Sequence, residues 1–235
     1  MARGLGRALE QAVARDGPDE DLEVEGRSLA NARRRQMFRY LCRKPCARVG
    51  EIGRELAMSQ ATVRWHAWDL VENGYVQIEG TRAFPKGLID PEDAAMFASL
   101  ASSGRAAVLE AAFRQPGLSF QELAAALGLT RQSVSKVASE LAEFGLLTLV
   151  DDGRYRRVYP TDLIARKRES NRARSNAFAD SLLRRLMEEG LSPELLRRDE
   201  TTVLVRFGSG SKKVVLDVTL DPYATAWKGS LSDTC

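Results

Sequence analysis

Two short runs of this 235-residue chain concentrate side chains that hydrogen-bond well and stand at helical spacing. Gln60, Thr62, Arg64 and Trp65 follow Ser59, and Arg131, Gln132, Ser133, Ser135 and Lys136 follow Thr130. Arginine and lysine can donate to O6 and N7 of guanine, and glutamine can pair with adenine through both amide atoms. Each good contact of that kind discriminates by about 1 to 3 kcal/mol. Three further sets are basic: Arg82 with Lys86, then Arg154, Arg156 and Arg157, then Arg166, Lys167 and Arg168. Such side chains suit phosphate oxygens or a narrow minor groove, and they equally suit a solvated surface.

Other chemistry-bearing residues are sparse. Trp65 and Trp68 flank His66, the only histidine. An indole three residues from another on one helix face could stack on a sugar, anchor a partner protein, or pack on a neighbouring helix. Cys42 and Cys46 stand four apart, open to a thiol switch or to a structural role. One histidine and three scattered cysteines do not make a zinc site, which needs about four ligands at recognisable spacing, so no metal is expected. No phosphate-binding glycine loop, paired-carboxylate site or nucleophile motif occurs, so neither a cofactor nor catalysis is expected.

The elements that must position these residues come in duplicate. The stretch "EIGRELAMSQATVRWHAWDLVENGYV" from Glu51 aligns without a gap to "ELAAALGLTRQSVSKVASELAEFGLL" from Glu122, an offset of 122 − 51 = 71. It pairs Ser59 with Thr130, Val63 with Val134, Leu70 with Leu141 and Gly74 with Gly145. "FPKGLI" from Phe84 then matches "YPTDLI" from Tyr159 at 159 − 84 = 75, which predicts a loop four residues longer in the second copy. In each copy two short amphipathic helices lead to a third, capped by Ser59 or Thr130 and ended by Gly74 or Gly145, and then to a β-hairpin. Val63, Ala67 and Leu70 face inward, and the repeat sets His66 against Val137, so His66 should be semi-buried. The second hairpin, "LLTLVDDGRYRRVYP", carries its turn at Asp152-Gly153.

This pattern of short helix, turn, Ser/Thr-capped helix, "DLVENGYV" and wing resembles the winged helix-turn-helix of MarR-like and ArsR-like transcriptional regulators, particularly the tandem forms familiar in archaea. The resemblance covers residues 29 to 165. It implies that the third helix of each copy enters a major groove while the hairpin reaches backbone or minor groove.

The expected fold is mainly α with small β-hairpins: two tandem winged helix-turn-helix domains and a small C-terminal α+β unit. Residues 1–28 hold four basic and seven acidic side chains and should form a mobile tail, with "LGRALEQAVA" able to form a transient helix. A first winged domain spans 29–90, a connecting helix 91–104 and a second winged domain 105–165. Residues 166–235 begin with a long helix and end in two alternating strands. The apolar face of that helix, Phe178, Leu182, Leu183 and Leu186, lies beyond either winged core and must be covered, by the strands or by a second subunit; a homodimer is the expectation. No run of about 18 apolar residues occurs and the first residues lack the apolar core of a signal peptide, which places the protein in the cytoplasm, on the chromosome, with no membrane partner.

The leading expectation is a sequence-selective regulator of transcription on double-stranded DNA, able to contact the transcription machinery. The rival is a protein-docking scaffold of the transcription or chromosome-organising machinery, anchored by the tryptophans. An RNA-binding factor would use the same basic surfaces but lacks an evident aromatic stacking sheet.

Overall fold

The computed structural model describes Leu22 and residues 28–228. Apart from Leu22 and Ser28, the expected mobile tail with its transient helix lies outside the described residues, as does Cys235.

Helix α1 (Ala32–Arg43) starts at Asn31, whose side chain accepts the Arg34 amide, and it buries Met37, Phe38, Leu41 and Cys42 at helical spacing. The two-residue strand β1 (Ala47–Arg48) leads into α2 (Val49–Glu55), then α3 (Gln60–Glu72). At α3, the Ser59 hydroxyl accepts the Thr62 amide, while Val63, His66, Ala67 and Leu70 are buried. A side chain at Gly53 would bring its Cβ within 2.8 Å of the Met58 carbonyl, so the turn between α2 and α3 closes only over glycine. Strands β2 (Val76–Glu79) and β3 (Arg82–Pro85) complete a three-stranded sheet ordered β1-β3-β2.

The same order of elements occurs further along the chain. Helix α5 (Ser103–Arg114), strand β4 (Leu118–Ser119), helices α6 (Phe120–Leu127) and α7 (Arg131–Glu143), and strands β5 (Leu147–Asp152) and β6 (Tyr155–Pro160) form a unit with sheet order β4-β6-β5. Here Ser119 and Glu122 cap α6 reciprocally, and Gly128 ends it in the left-handed region at φ 63°. Between the units a 3-10 turn (Pro91–Asp93), capped by Asp90, runs into α4 (Ala94–Leu100).

The expected longer loop in the second hairpin is corrected by the register. Both hairpins turn on two residues, between Glu79 and Arg82 and between Asp152 and Tyr155. The four extra residues lengthen the strands, from four residues each to six. Two-residue turns match the twist of antiparallel strands, so an insertion is taken up in pairs along the ladder.

The C-terminal part consists of α8 (Leu163–Glu188), a sheet of β7 (Glu194–Arg198), β8 (Thr202–Ser209) and β9 (Lys212–Thr219) in that order, and α9 (Pro222–Thr225). It folds back onto the first unit. The Phe178 ring stacks on Phe38 with centroids 6.2 Å apart, and the Arg39 guanidinium donates to the Val215 carbonyl at 2.7 Å. Asn171 Nδ2 donates to the Leu88 carbonyl at 3.0 Å. Trp227 reaches the second unit, stacking on Phe113 at 4.8 Å. The face assigned to subunit pairing is therefore covered within the chain: Phe178, Leu182 and Leu186 are buried and Leu183 is partly buried against the same core. The sequence reading compared α8 only with its neighbours along the chain, whereas its partner α1 lies far upstream.

Candidate nucleic-acid interface

The N-terminus of α7 presents the polar set intact. Arg131, Gln132, Ser133 and Lys136 are exposed and Ser135 is half-buried, while Val134, Ala138 and Leu141 fix the helix to its core. Thr130 Oγ1 accepts the Ser133 amide at 3.1 Å and lies 2.8 Å from the Ser133 hydroxyl, so Ser133 is committed to the cap. Arg131 and Gln132 make no side-chain bond among the described residues. The first turns of α3 and α7 hold no acidic residue, whereas α2 and α6 carry Glu51 and Glu122 there. A cation in the first turn opposes the helix dipole, so Arg131 costs the isolated helix stability that an approaching anion would return. Lower on α7, Glu140 is held ionised, its pKa lowered chiefly by the hydrogen bond from Arg105, 2.6 Å away.

Helix α3 has the same frame and different chemistry. Gln60, Thr62, Arg64 and Trp65 are exposed, but Thr62 is bound to the Ser59 cap and Arg64 reaches Gln60 Oε1 at 3.5 Å. The Arg34 guanidinium lies 4.9 Å from the centre of the Trp65 ring and pairs with Asp69 at 2.8 Å. Trp65 is 60% exposed and Trp68 66%, which removes packing on the connecting helix as their explanation. His66 is buried at 4% exposure, deeper than the semi-buried place expected of it and deeper than the half-buried Val137 at the matching position.

The hairpins divide the basic residues unevenly. Arg154 occupies the second turn, beside the Tyr155 ring at 5.6 Å, and Arg156 meets Asp151 at 3.5 Å on an exposed surface. Arg157 is structural: it pairs with Asp152 at 2.5 Å and donates to the Gly117 carbonyl at 2.9 Å. The bond to Asp152 raises its pKa further. Lys86 lies past the end of β3, where its amide bonds the Tyr75 carbonyl, so it stands at the root of the first hairpin and away from the tip. Arg82 is half-buried, with Nη1 enclosed and lacking a hydrogen-bond acceptor.

The basic run at the start of α8 is neutralised. Arg166 pairs with Asp162 at 3.1 Å, Lys167 with Asp93 at 2.8 Å, Arg168 with Asp221 at 2.6 Å and Arg174 with Asp90 at 3.0 Å. Asp90 and Asp93 belong to the connector, so Lys167 and Arg174 clamp it, and Arg168 ties α8 to Asp221, while the Arg166–Asp162 pair lies on the exposed surface. Asp93 also accepts the Tyr223 hydroxyl at 2.6 Å; burial and that bond push the Tyr223 phenol well above its usual range. Replacing Lys167 by methionine should lower stability by about 1 to 3 kcal/mol, because buried Asp93 loses its cation, and leave affinity for nucleic acid unchanged. Urea unfolding beside a binding titration checks both parts.

Cys42 and Cys46 are buried free thiols. Burial pushes Cys42 well above the ordinary thiol range and Cys46 up to about 12, so both stay protonated and weakly nucleophilic at neutral pH.

Residues missed by the sequence reading are Arg34, which backs Trp65, and Arg48, which lies beside Arg82. The repeat held a signal for Arg48, because it stands where the second copy has the capping Ser119.

Residues 105–157, which hold most of the second unit, match the MarR family model. No curated protein matches the chain. Among solved structures, the PcaV transcriptional regulator from Streptomyces coelicolor in complex with its natural ligand is 30% identical, over 35% of this chain and 61% of that one, with a TM-score of 0.27. A MarR family regulator from Rhodococcus sp. RHA1 is 25% identical over 36% and 65%, with a TM-score of 0.26. T. acidophilum IdeR is 13% identical over 82% and 93%, with a TM-score of 0.21. The chain spans less than two thirds of the length of the first of these relatives. Among the described residues no helix is long and apolar enough to cross a membrane.

Proposed function

We propose that the chain is a sequence-selective regulator of transcription on double-stranded DNA, acting on the chromosome in the cytoplasm. In this reading α3 and α7 belong to two tandem winged helix-turn-helix units, and α7 is the principal reader. The observation that carries it is the pair Arg131 and Gln132, exposed and uncommitted on the first turn of a helix inside the MarR-like segment. Side chains there reach base edges when the helix lies in a major groove. Arg154 in the second turn and Arg82 beside the first, with Arg64 on α3 and Arg156 on β6, take phosphate contacts. Genome-wide crosslinking to chromosomal DNA tests the proposal: sharp peaks sharing a motif support it, and an even spread rejects sequence selectivity.

Salt gives a second measure. Each phosphate neutralised contributes a slope of about −0.9 in log affinity against log salt, so these four cations predict roughly −3 to −4. Fluorescence anisotropy with a labelled duplex between low and physiological salt reads it. A slope near zero would reject attachment through the hairpins.

One observation favours a docking role as the second reading, namely the exposure of Trp65 and Trp68 on the helix where a reader would carry polar groups. Replacing both by alanine should then abolish capture of a transcription-machinery partner while DNA affinity holds. A second copy of the chain would have to pair through a surface other than the covered face of α8.

A further inference from the structure

Arg48 and Arg82 are directly opposed across the β1–β3 ladder, which sends two cationic side chains out from one face of the sheet. Like charges at such a position destabilise a strand pair unless something lies between them. The carboxylates available do not serve. Glu79, opposite Arg82 on β2, makes no ion pair with it, Glu51 accepts the Arg48 amide, and Glu140 is taken by Arg105. Glu55 and Glu143 border the same space without pairing with either arginine.

The second unit supplies an internal control. There the position of Arg48 is Ser119, and that of Arg82 is Arg157, which is satisfied by Asp152 and the Gly117 carbonyl. The first unit lacks that arrangement, holds a second cation and has Arg82 Nη1 enclosed with no acceptor.

Both arginines line a cleft of about 640 Å³ between the first unit, α4 and the second unit, together with Lys44, Arg54 and Tyr40. Burial raises the Tyr40 phenol to about 12, so it remains a hydrogen-bond donor at neutral pH. The volume falls in the range of small-molecule sites, roughly 300 to 1,000 Å³. Arg48 and Arg82 also line a groove of about 460 Å³ between α3 and the first hairpin, beside Arg64.

We propose that the Arg48–Arg82 pair is a binding site for an oxyanion, a phosphate or carboxylate group held between the two guanidiniums and supported by Lys44. The oxyanion belongs either to a small molecule entering from the cleft or to a phosphodiester entering from the groove. The site does not depend on base reading by α7, and only its phosphodiester branch rests on the proposed DNA binding, in which Arg82 takes a phosphate contact.

The test uses the full chain, with inorganic phosphate titrated against chloride at constant ionic strength while thermal unfolding and calorimetric binding are followed. The native chain should show a saturable rise in its unfolding midpoint. Arg48→Ser, which installs the residue of the second unit, and Arg82→Gln should each weaken phosphate binding by about tenfold or more, the scale of one charge-assisted hydrogen bond. Arg48→Ser should also raise the midpoint without phosphate, by removing the repulsion. No saturable response in the native chain, or a response in both variants equal to that of the native chain, overturns the site. Duplex DNA then identifies the source. If saturating phosphate and Arg48→Ser each weaken DNA binding, the anion is a DNA phosphate; if both leave it unchanged, the site takes a free small molecule from the cleft.

Discussion

Changing Arg131 and Gln132 together to alanine is expected to erase discrimination between a preferred operator and a scrambled duplex. Each bidentate base contact contributes about 1 to 3 kcal/mol of discrimination, so the pair accounts for roughly 2 to 6 kcal/mol, at least about thirtyfold in relative affinity. Both side chains are exposed and unbonded within the chain, so their removal leaves the Thr130 cap and the buried Val134, Ala138 and Leu141 intact. The fold should survive, and far-ultraviolet circular dichroism confirms that point. Arg156→Ala acts differently. It removes a cation partly engaged by Asp151 at 3.5 Å, and it should weaken every sequence by the same modest factor. Competition binding separates the two behaviours. Uniform loss across sequences in the Arg131/Gln132 variant would reject α7 as the reader.

The features of this interface that were legible in the sequence are local ones. Ser59 and Thr130 cap their helices because a hydroxyl at that position satisfies an orphan amide within three residues, and no remote contact is needed. The alignment of His66 with Val137 gave the inward side of the helix but not the depth: Val137 is half-buried, whereas His66 is buried. Remote pairing was not legible. Lys167 and Arg168 looked like an open basic surface because their counter-ions, Asp93 and Asp221, lie 74 residues before and 53 residues after them (167 − 93 and 221 − 168). Charge alone does not distinguish a clamp from a phosphate contact until those acids have been placed. Strand β7 escaped notice for a local reason: its ladder slips between Leu195 and Arg197, and the bulge disrupts the alternation by which the two following strands were recognised.

Leu182→Asp should unfold the C-terminal part and the first unit together, and it should not yield a folded, smaller species. The sequence reading gave this helix face to a second subunit, for which a charge would merely separate the copies. The structure buries Leu182 at 2% exposure and Leu186 at 0%, in one core with Phe38, Leu29 and the sheet residues Val203 and Val205. Truncating such a leucine to alanine costs about 2 to 5 kcal/mol. An aspartate adds the penalty of an enclosed, unpaired carboxylate, and the sum is comparable to the whole stability of a domain, about 5 to 15 kcal/mol. Because Phe178 packs on Phe38 and Asn171 bonds Leu88, loss of α8 also strips the first unit of its cover. Urea titration of Leu182→Ala should show one transition at a clearly lower midpoint, and Leu182→Asp should lack that transition near neutral pH. A Leu182→Asp chain that keeps the native urea midpoint while sedimenting as a smaller particle would return this face to subunit pairing.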